Sequence, residues 1–456
     1  MVALIDGKRR RIAGQVGVVT PAPAVQWFNL RVREDRLAPQ PMIDDVAVFH
    51  PGVQHSWQTA LALQQLGRLN FYATSIFYQP QRWPFRVERH LPAPLRRRAH
   101  AEFSRFAGPP LPADKLVTGG MAEWLERIAH RLGARALARQ LDRAGNRQFV
   151  HRVTRASAHR QPSVLWGFNG SSLETFVHPR HAGTFKVLDR TIGDWRAYNA
   201  AMLAVRKEWP DFFSPWDHGG MPDADIKRDD AEYAAADVIL TGSPFAADTV
   251  RAYAGSPDVA AKVCVLPYCF DEALFGAMPP AAPVSRDRPV RFLFVGQASP
   301  RKGIHLLLEA AMRLPRSAAT ITIVGGLHIP GSTFARYADR VTWRPHVPRQ
   351  AVPAVMAAAD VLVFPSYFEG SALSLLEASA AGLAIIQSPS AGLGVTPETG
   401  LMLPALSVEA LVSAMMTLVE DRDRLSAFRL AAPAAAAPYR FAACRQRISD
   451  LLARTG

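Results

Sequence analysis

Pro365-Ser366-Tyr367-Phe368-Glu369-Gly370-Ser371-Ala372-Leu373-Ser374-Leu375-Leu376-Glu377-Ala378 follows the apolar run Val361 to Phe364. In order, this predicts a strand, a polar loop carrying Glu369 and Gly370, and a helix opening near Ser371. Open α/β sheets bind ligands at the carboxyl ends of their strands, where this loop would lie. A helix N-terminus there offers free N–H groups and the positive end of a dipole, which suits a pyrophosphate. Glu369 and Glu377 are eight positions apart, on the order of 12 Å along a helix. That span is comparable to a nucleotide sugar measured from hexose to ribose, so one carboxylate can accept sugar hydroxyls and the other ribose hydroxyls. Two solvated helix glutamates have the same spacing, and spacing alone leaves both readings open.

The same rhythm extends in both directions. Val290 to Val295 predicts a strand, 303–313 a helix, Ala319 to Val324 a strand ending in Gly325-Gly326, and Ala351 to Ala359 a helix. Leu375 to Ala381 predicts a helix, Leu383 to Gln387 a strand, and Val408 to Leu418 a further helix. Strands alternating with helices predict a doubly wound parallel sheet over 288–432. The first turn reads Gly296-Gln297-Ala298-Ser299-Pro300-Arg301-Lys302-Gly303. A lysine at such a helix start can meet phosphates as a point charge, or it can be a solvated surface lysine.

Together these elements resemble glycosyltransferase family 4 (glycosyl transferases group 1). These are retaining enzymes of the GT-B fold, in which two Rossmann-like parallel-sheet domains face a cleft. Lys302-Gly303 and the Glu-x7-Glu pair Glu369/Glu377 carry the resemblance. Gln297 stands where arginine is common, with Arg301 nearby as a substitute charge, and Ala372, Ser374 and Ala384 replace the usual Gly, Pro and Pro. Trp343-Arg344-Pro345-His346-Val347-Pro348 lies where relatives place a base-contacting loop, and Val265 to Asp271 resembles their Pro-Asn/Tyr-Gly-Val-Asp segment with Cys269 for glycine. The resemblance implies that Glu369 contacts the transferred sugar, Glu377 the ribose and Lys302 the phosphates. Gly296, Gln297, Arg301, Gly325, His346, Val347, Gly370, Ser371, Ala372 and Leu373 are the further donor-site residues. It implies retention at the anomeric carbon, with the leaving phosphate taking the acceptor proton. It implies no cofactor, the nucleotide sugar being substrate, and no metal. The pair Asp223 and Asp225 reads as loop and is not placed beside a phosphate.

The first half is legible in outline. Residues 1–42 read as a poorly ordered arm, and 43–278 as an acceptor-side Rossmann-like domain. Val46 to Phe49 predicts a strand, Pro51-Gly52 a turn whose glycine lets backbone approach phosphates, and a helix then runs to Leu66. Strands follow at Asn70 to Thr74, 163–167, Phe185 to Leu188, Val238 to Thr241 and Val263 to Pro267, with a helix ending at Glu232 to Ala236. The Pro-rich stretch 276–289 predicts an interdomain linker, and 433–456 a final helix whose partner the sequence does not name. Relatives often carry a catalytic-site histidine in this half, but Leu188 to Trp195 contains none. Asp189 and Asp194 are therefore the catalytic candidates there, and a helix-start role fits Asp189 equally well. His50 and His55, flanking the glycine turn, are further candidates.

The segment 80–160 interrupts the rhythm as a basic helical insertion. Arg127, Arg131, Arg135, Arg139 and Arg143 recur every fourth residue and predict a basic stripe on a helix. Such a stripe fits an anionic membrane surface or a solvated helix face. The 456 residues have globular composition (49% hydrophobic, 20% charged) and carry a formal net charge of +14, which calls for an anionic partner or surface. No aromatic–basic repeat points to nucleic acid. Three unpaired-looking cysteines suit a reducing compartment, and no leader or membrane span is read. The expectation is a cytoplasmic transferase, peripheral on the inner face of the plasma membrane, acting on a lipid-linked or polysaccharide-precursor acceptor. The alternatives are a soluble small-molecule acceptor and an inactive nucleotide-sugar-binding relative.

Overall fold

The computed structural model describes residues 46–52, 56–106, 108, 110–119, 125, 135–214, 220–345 and 347–455. Among these residues two wholly parallel sheets form. The first holds β1 (Val46–Phe49), β2 (Leu69–Thr74), β3 (Leu116–Thr118), β4 (Val164–Phe168), β5 (Phe185–Arg190), β6 (Val238–Thr241) and β7 (Val263–Val265), in the order β3-β2-β1-β4-β5-β6-β7. The second holds β8 (Val290–Val295), β9 (Ala319–Val324), β10 (Thr342–Arg344), β11 (Val361–Phe364), β12 (Ala384–Gln387) and β13 (Gly400–Met402), in the order β10-β9-β8-β11-β12-β13. The central strands β1, β4, β11 and β12 are buried at every position. Helices cover both faces, so these strands read as continuous apolar runs. In each sheet the order reverses beside the first strand, at β1/β4 and at β8/β11, which opens a crevice at the strands' carboxyl ends.

Three short edge strands were not anticipated. β3 lies inside the basic insertion, and β10 and β13 flank the second sheet. All three residues of β10 are exposed, so no apolar pattern marks it. Trp343 and Arg344 therefore belong to a strand, and the loop expected to contact the base starts after them. Asp223 and Asp225 sit in the first turn of the helix Asp223–Ala235 rather than in a loop. The helix that follows Glu369 begins at Leu373, with Ala372 as its cap. Glu369 is therefore in the loop, and the straight helical rise does not measure its distance from Glu377.

The two halves exchange elements. Met202 and Val205 of the helix Trp195–Glu208, with Phe212 and Phe213 after it, belong to the apolar core of the second sheet. Conversely, Cys444, Ile448, Leu451 and Leu452 of the last helix, Phe441–Thr455, pack into the core under the first sheet beside the helix Ser56–Gln65. The final helix thus has its partner in the first domain. Arg447 Nη1 donates to Pro438 O at 2.7 Å, and Phe441 N to Glu272 Oε2 at 2.7 Å, fixing where it enters.

In the insertion, the helix Ala93–Phe103 and the turn Phe85–His90 surround a satellite cluster of Ile76, Phe85 and Phe106 with Tyr78 and Phe103. Arg127 and Arg131 lie outside the described residues. Arg135, Arg139 and Arg143 fall on the helix Arg135–Arg160, but their side chains are outside the description, as are the arm 1–42, His55 and His346. Among the described residues no helix is long and apolar enough to cross a membrane.

Candidate active site

The loops after β8 and β11 meet around Glu369. Pro300–Lys302 forms a 3₁₀ turn, and Gly303 follows it in a left-handed conformation (φ 69°) before the helix Ile304–Arg313. The turn aims two cations at one carboxylate. Arg301 Nη1 donates to Glu369 Oε1 at 2.8 Å, Lys302 Nζ lies 2.9 Å from the same oxygen, and Ser366 Oγ donates to it at 2.8 Å. All three donors converge on Oε1, and Oε2 takes none of them. Burial disfavours the charge of Glu369, but Lys302 and then Arg301 outweigh it and hold the carboxyl below its ordinary value. Burial also lowers the pKa of Lys302, against the pull of Glu369. Its ammonium stands 4.7 Å over the ring of Phe364, a favourable cation–π placement.

Arg301 also donates to Phe368 O at 2.8 Å and lines, with Gln297, Ser299 and His328, a cleft of about 500 Å³ closed on its other side by Tyr198 and Phe213. The charge that Gln297 lacks is thus present a short way along the same turn. Gly296 and Gly325 end β8 and β9 side by side. Gly325 has φ 135°, and a Cβ there would stand 1.9 Å from Gly296 O, so this crossing admits only glycine. Val347 packs, half-buried, against the core of the second sheet.

The Glu369 loop is also where the halves touch. A Cβ on Gly370 would stand 1.9 Å from Thr191 O, and the Gly370 carbonyl accepts from Ser243 Oγ. Phe368 packs edge-on against Tyr198 and Phe245, each at 5.6 Å. Ser371 Oγ is buried and makes no hydrogen bond within the described residues. Ala372 N donates to Ala391 O at 3.3 Å, and no side chain caps the helix Leu373–Ala380. Glu377 lies in its second turn, buried, with Oε1 accepting from Arg349 Nη2. Burial raises its pKa, and Arg349 opposes the rise.

The first-half candidates fall differently. Asp194 caps the helix Trp195–Glu208, accepting from Arg196 N at 2.8 Å, and pairs with the Arg196 guanidinium at 3.0 Å. Asp189 is sealed in the sheet, accepting from Tyr268 Oη at 2.9 Å and Trp166 Nε1 at 3.4 Å, with its pKa pushed up to about 7 by burial. Both carboxylates thus have hydrogen-bond partners within their own domain, which gives each of them a structural role. Gly52 N donates to His50 Nδ1 at 3.0 Å, and the imidazole stacks edge-on against Phe168 at 5.3 Å. Burial holds His50 below its ordinary pKa.

Two groups that sequence reasoning missed complete the site. Arg349 is the partner of Glu377. Arg190, fully buried and paired with Asp229 at 2.6 Å, donates to Ile192 O at 3.0 Å and Gly193 O at 2.8 Å, and so shapes the loop that meets Gly370. The only sequence signal for Arg190 is an arginine ending an apolar strand.

Arg301, Lys302 and the buried Glu369 thus meet at the switch point of the second sheet. The profile of the family described as glycosyl transferases group 1 matches residues 289–421. Residues 289–421 are a glycosyl transferases group 1 domain. This group 1 domain takes in β8 to β13 and the helix Val408–Glu420. Among curated proteins, D-inositol 3-phosphate glycosyltransferase of Rhodococcus opacus is 34% identical over 159 residues, covering 31% of this chain and 35% of the relative. Glycogen synthase of Mycobacterium tuberculosis is 30% identical over 182 residues, covering 38% and 41%. The chain thus aligns with about a third to two-fifths of the length of these two relatives. Among solved structures, sucrose-phosphate synthase of Thermosynechococcus elongatus superposes with a TM-score of 0.61 at 17% identity, over 90% of this chain and 99% of that one. Anabaena HepE in complex with UDP-glucose gives 0.55 at 14% identity, over 90% and 99%. The group 1 domain and the sheet before it together have the GT-B fold.

Proposed function

We propose that this chain transfers a sugar from a nucleotide-sugar donor, with retention at the anomeric carbon, to a lipid-linked or polysaccharide-precursor acceptor. The observation that carries the reading is Glu369 held by Arg301, Lys302 and Ser366 through one oxygen, which leaves Oε2 to accept from a sugar hydroxyl. The partial relatives, glycosyltransferases and a glycogen synthase by name, support it for the donor half.

Lys302 and Arg301 stabilise the departing diphosphate, and the N-terminal end of the helix Leu373–Ala380 adds its dipole. Glu377 accepts from the ribose. The acceptor hydroxyl attacks the anomeric carbon on the face from which the diphosphate leaves. The bond to phosphate oxygen breaks, the bond to acceptor oxygen forms, and the acceptor proton passes to the diphosphate. Positioning and fixed charge do this work. No metal enters the reading, so transfer persists in a chelator.

The test is a thermal-shift screen against UDP, GDP, ADP and their common sugar conjugates, followed by transfer assays. A ligand of the native state raises the melting point. A shift that is lost in Lys302→Met, with turnover lost in Glu369→Ala, is the expected result. No shift with any nucleotide, or full turnover in Glu369→Ala, overturns the assignment.

The acceptor reading rests on the basic unit at the carboxyl end of β2. Trp83 is 72% and Leu95 51% exposed, beside exposed Arg82, Arg86, Arg96, Arg97 and Arg98. An exposed tryptophan among arginines suits an anionic lipid interface. Salt-sensitive binding to vesicles containing phosphatidylglycerol is expected. Its absence at low salt selects a soluble acceptor.

A further inference from the structure

Arg349 stands where three parts of the molecule meet. It opens the turn Arg349–Ala351, which leads from the edge strand β10 into the helix Val352–Ala357. Its Nη2 donates to Oε1 of Glu377 in the second turn of the helix Leu373–Ala380, and none of its hydrogen bonds goes to Oε2. Its guanidinium lies 5.5 Å over the ring of Phe275, in the short helix Glu272–Phe275 that leads into the linker. The two partners differ in exposure: the Glu377 side chain is 5% exposed and that of Arg349 45%.

A carboxylate this deeply buried has little solvent to stabilise its charge, and burial raises its pKa. Two charged groups act on it: the Arg349 guanidinium lowers the pKa, and the Asp271 carboxylate, just ahead of the Phe275 helix, raises it. Without the guanidinium, burial and Asp271 act in the same direction and the pKa of the carboxyl stands higher still. A protonated carboxyl has less acceptor capacity.

We propose that Arg349 is a positioning residue: it holds one oxygen of Glu377, braced on the linker by Phe275, and leaves the other oxygen open to the vicinal hydroxyls of a donor ribose. This rests on Glu377 being the ribose contact of the site described above. Arg349 touches the carboxylate and acts on the donor through it.

The experiment measures nucleotide affinity by calorimetry at pH 6 and pH 8, with Arg349→Met, Arg349→Lys, Glu377→Gln and the unaltered chain. The probe is whichever of UDP, GDP or ADP gives the largest thermal shift, together with its 2′,3′-dideoxy counterpart. Arg349→Met should weaken the ribonucleotide about tenfold, the scale of one charge-assisted hydrogen bond, and more at pH 6 than at pH 8. The dideoxy nucleotide, lacking the hydroxyls, should lose little. Arg349→Lys should restore part of the affinity. Equal loss for both nucleotides would mean a purely structural role and overturn the proposal, as would no loss at all. If Arg349→Met does not fold, the same comparison between the two nucleotides in Arg349→Lys decides. Failure of the donor-site reading looks different: the unaltered chain binds no nucleotide, or Glu377→Gln binds the ribonucleotide undiminished at both pH values.

Discussion

Nζ of Lys302 stands 2.9 Å from Oε1 of Glu369, and both side chains are largely buried. Burial disfavours both charges, lowering the lysine pKa and opposing the net fall in the carboxyl's. Each favours the charged form of the other, with Arg301 supporting the carboxylate. The pair is set before a donor arrives, so its charges need little reorganisation during reaction.

Glu369→Gln keeps the shape and removes the charge. Turnover is expected to fall about 10²–10³-fold, the range for a lost preorganised charge contact. A circular dichroism melt run alongside shows whether the fold survives. Turnover within threefold of the unaltered chain would refute the role.

Gly370→Ala tests the contact between the halves. The added Cβ would stand 1.9 Å from Thr191 O, a backbone atom that cannot swing aside. Forcing the loop outward is expected to destabilise the protein by about 1–3 kcal/mol and to reduce transfer sharply. Denaturant midpoints and initial rates read the two effects separately.

Asp189→Asn separates a structural carboxyl from a catalytic one. The folded pKa of about 7 lies above the unstrained value of 3.8. Between those values the folded state binds the extra proton, so stability falls as pH rises from about 4 to about 7, by at most about 1.4 kcal/mol per pH unit. Asparagine still accepts from Tyr268 and removes the titration. Melts across this range should show a flatter slope in the variant, with transfer retained. Loss of transfer in a well-folded Asp189→Asn would assign Asp189 a part in catalysis.

Asp360 gives the opposite pH dependence. Fully buried, it is bonded by Arg288 at 2.6 Å and Arg291 at 2.9 Å just ahead of β11. Burial works against its charge, but the two arginines outweigh it and depress the pKa well below 3.8. A depressed carboxyl contributes stability above its unfolded pKa and loses it as pH falls toward the folded value. Asp360→Asn should therefore destabilise by about 1.5–3 kcal/mol near neutrality, with the difference shrinking below about pH 4. A constant difference down to pH 2 would rule out the ion pairs as its source.

Much of the second half could be read from the chain because its determinants are local. An apolar run, a glycine turn and an amphipathic helix are set by neighbours within a few residues. Lys302-Gly303 and Glu369-Gly370 sit at such junctions, and the structure places them together. The edge strands β3, β10 and β13 escaped notice because they are short and β10 has no buried face. The capping role of Asp194 was not legible, because a capping aspartate looks like any loop aspartate until the backbone N–H it accepts from is known.

The sequence by itself determined the two parallel sheets, the switch-point loops and the carboxylate and lysine of the candidate donor site. Tertiary structure alone decided which side chains complete them. Arg349 reaches Glu377 from 28 positions away, Arg190 reaches Asp229 from 39, and the last helix packs on the first domain. The reason is physical: periodicity records which face of an element is buried, but not which distant surface buries it. A charge partner is chosen by the packing of whole elements, and no local pattern carries that choice.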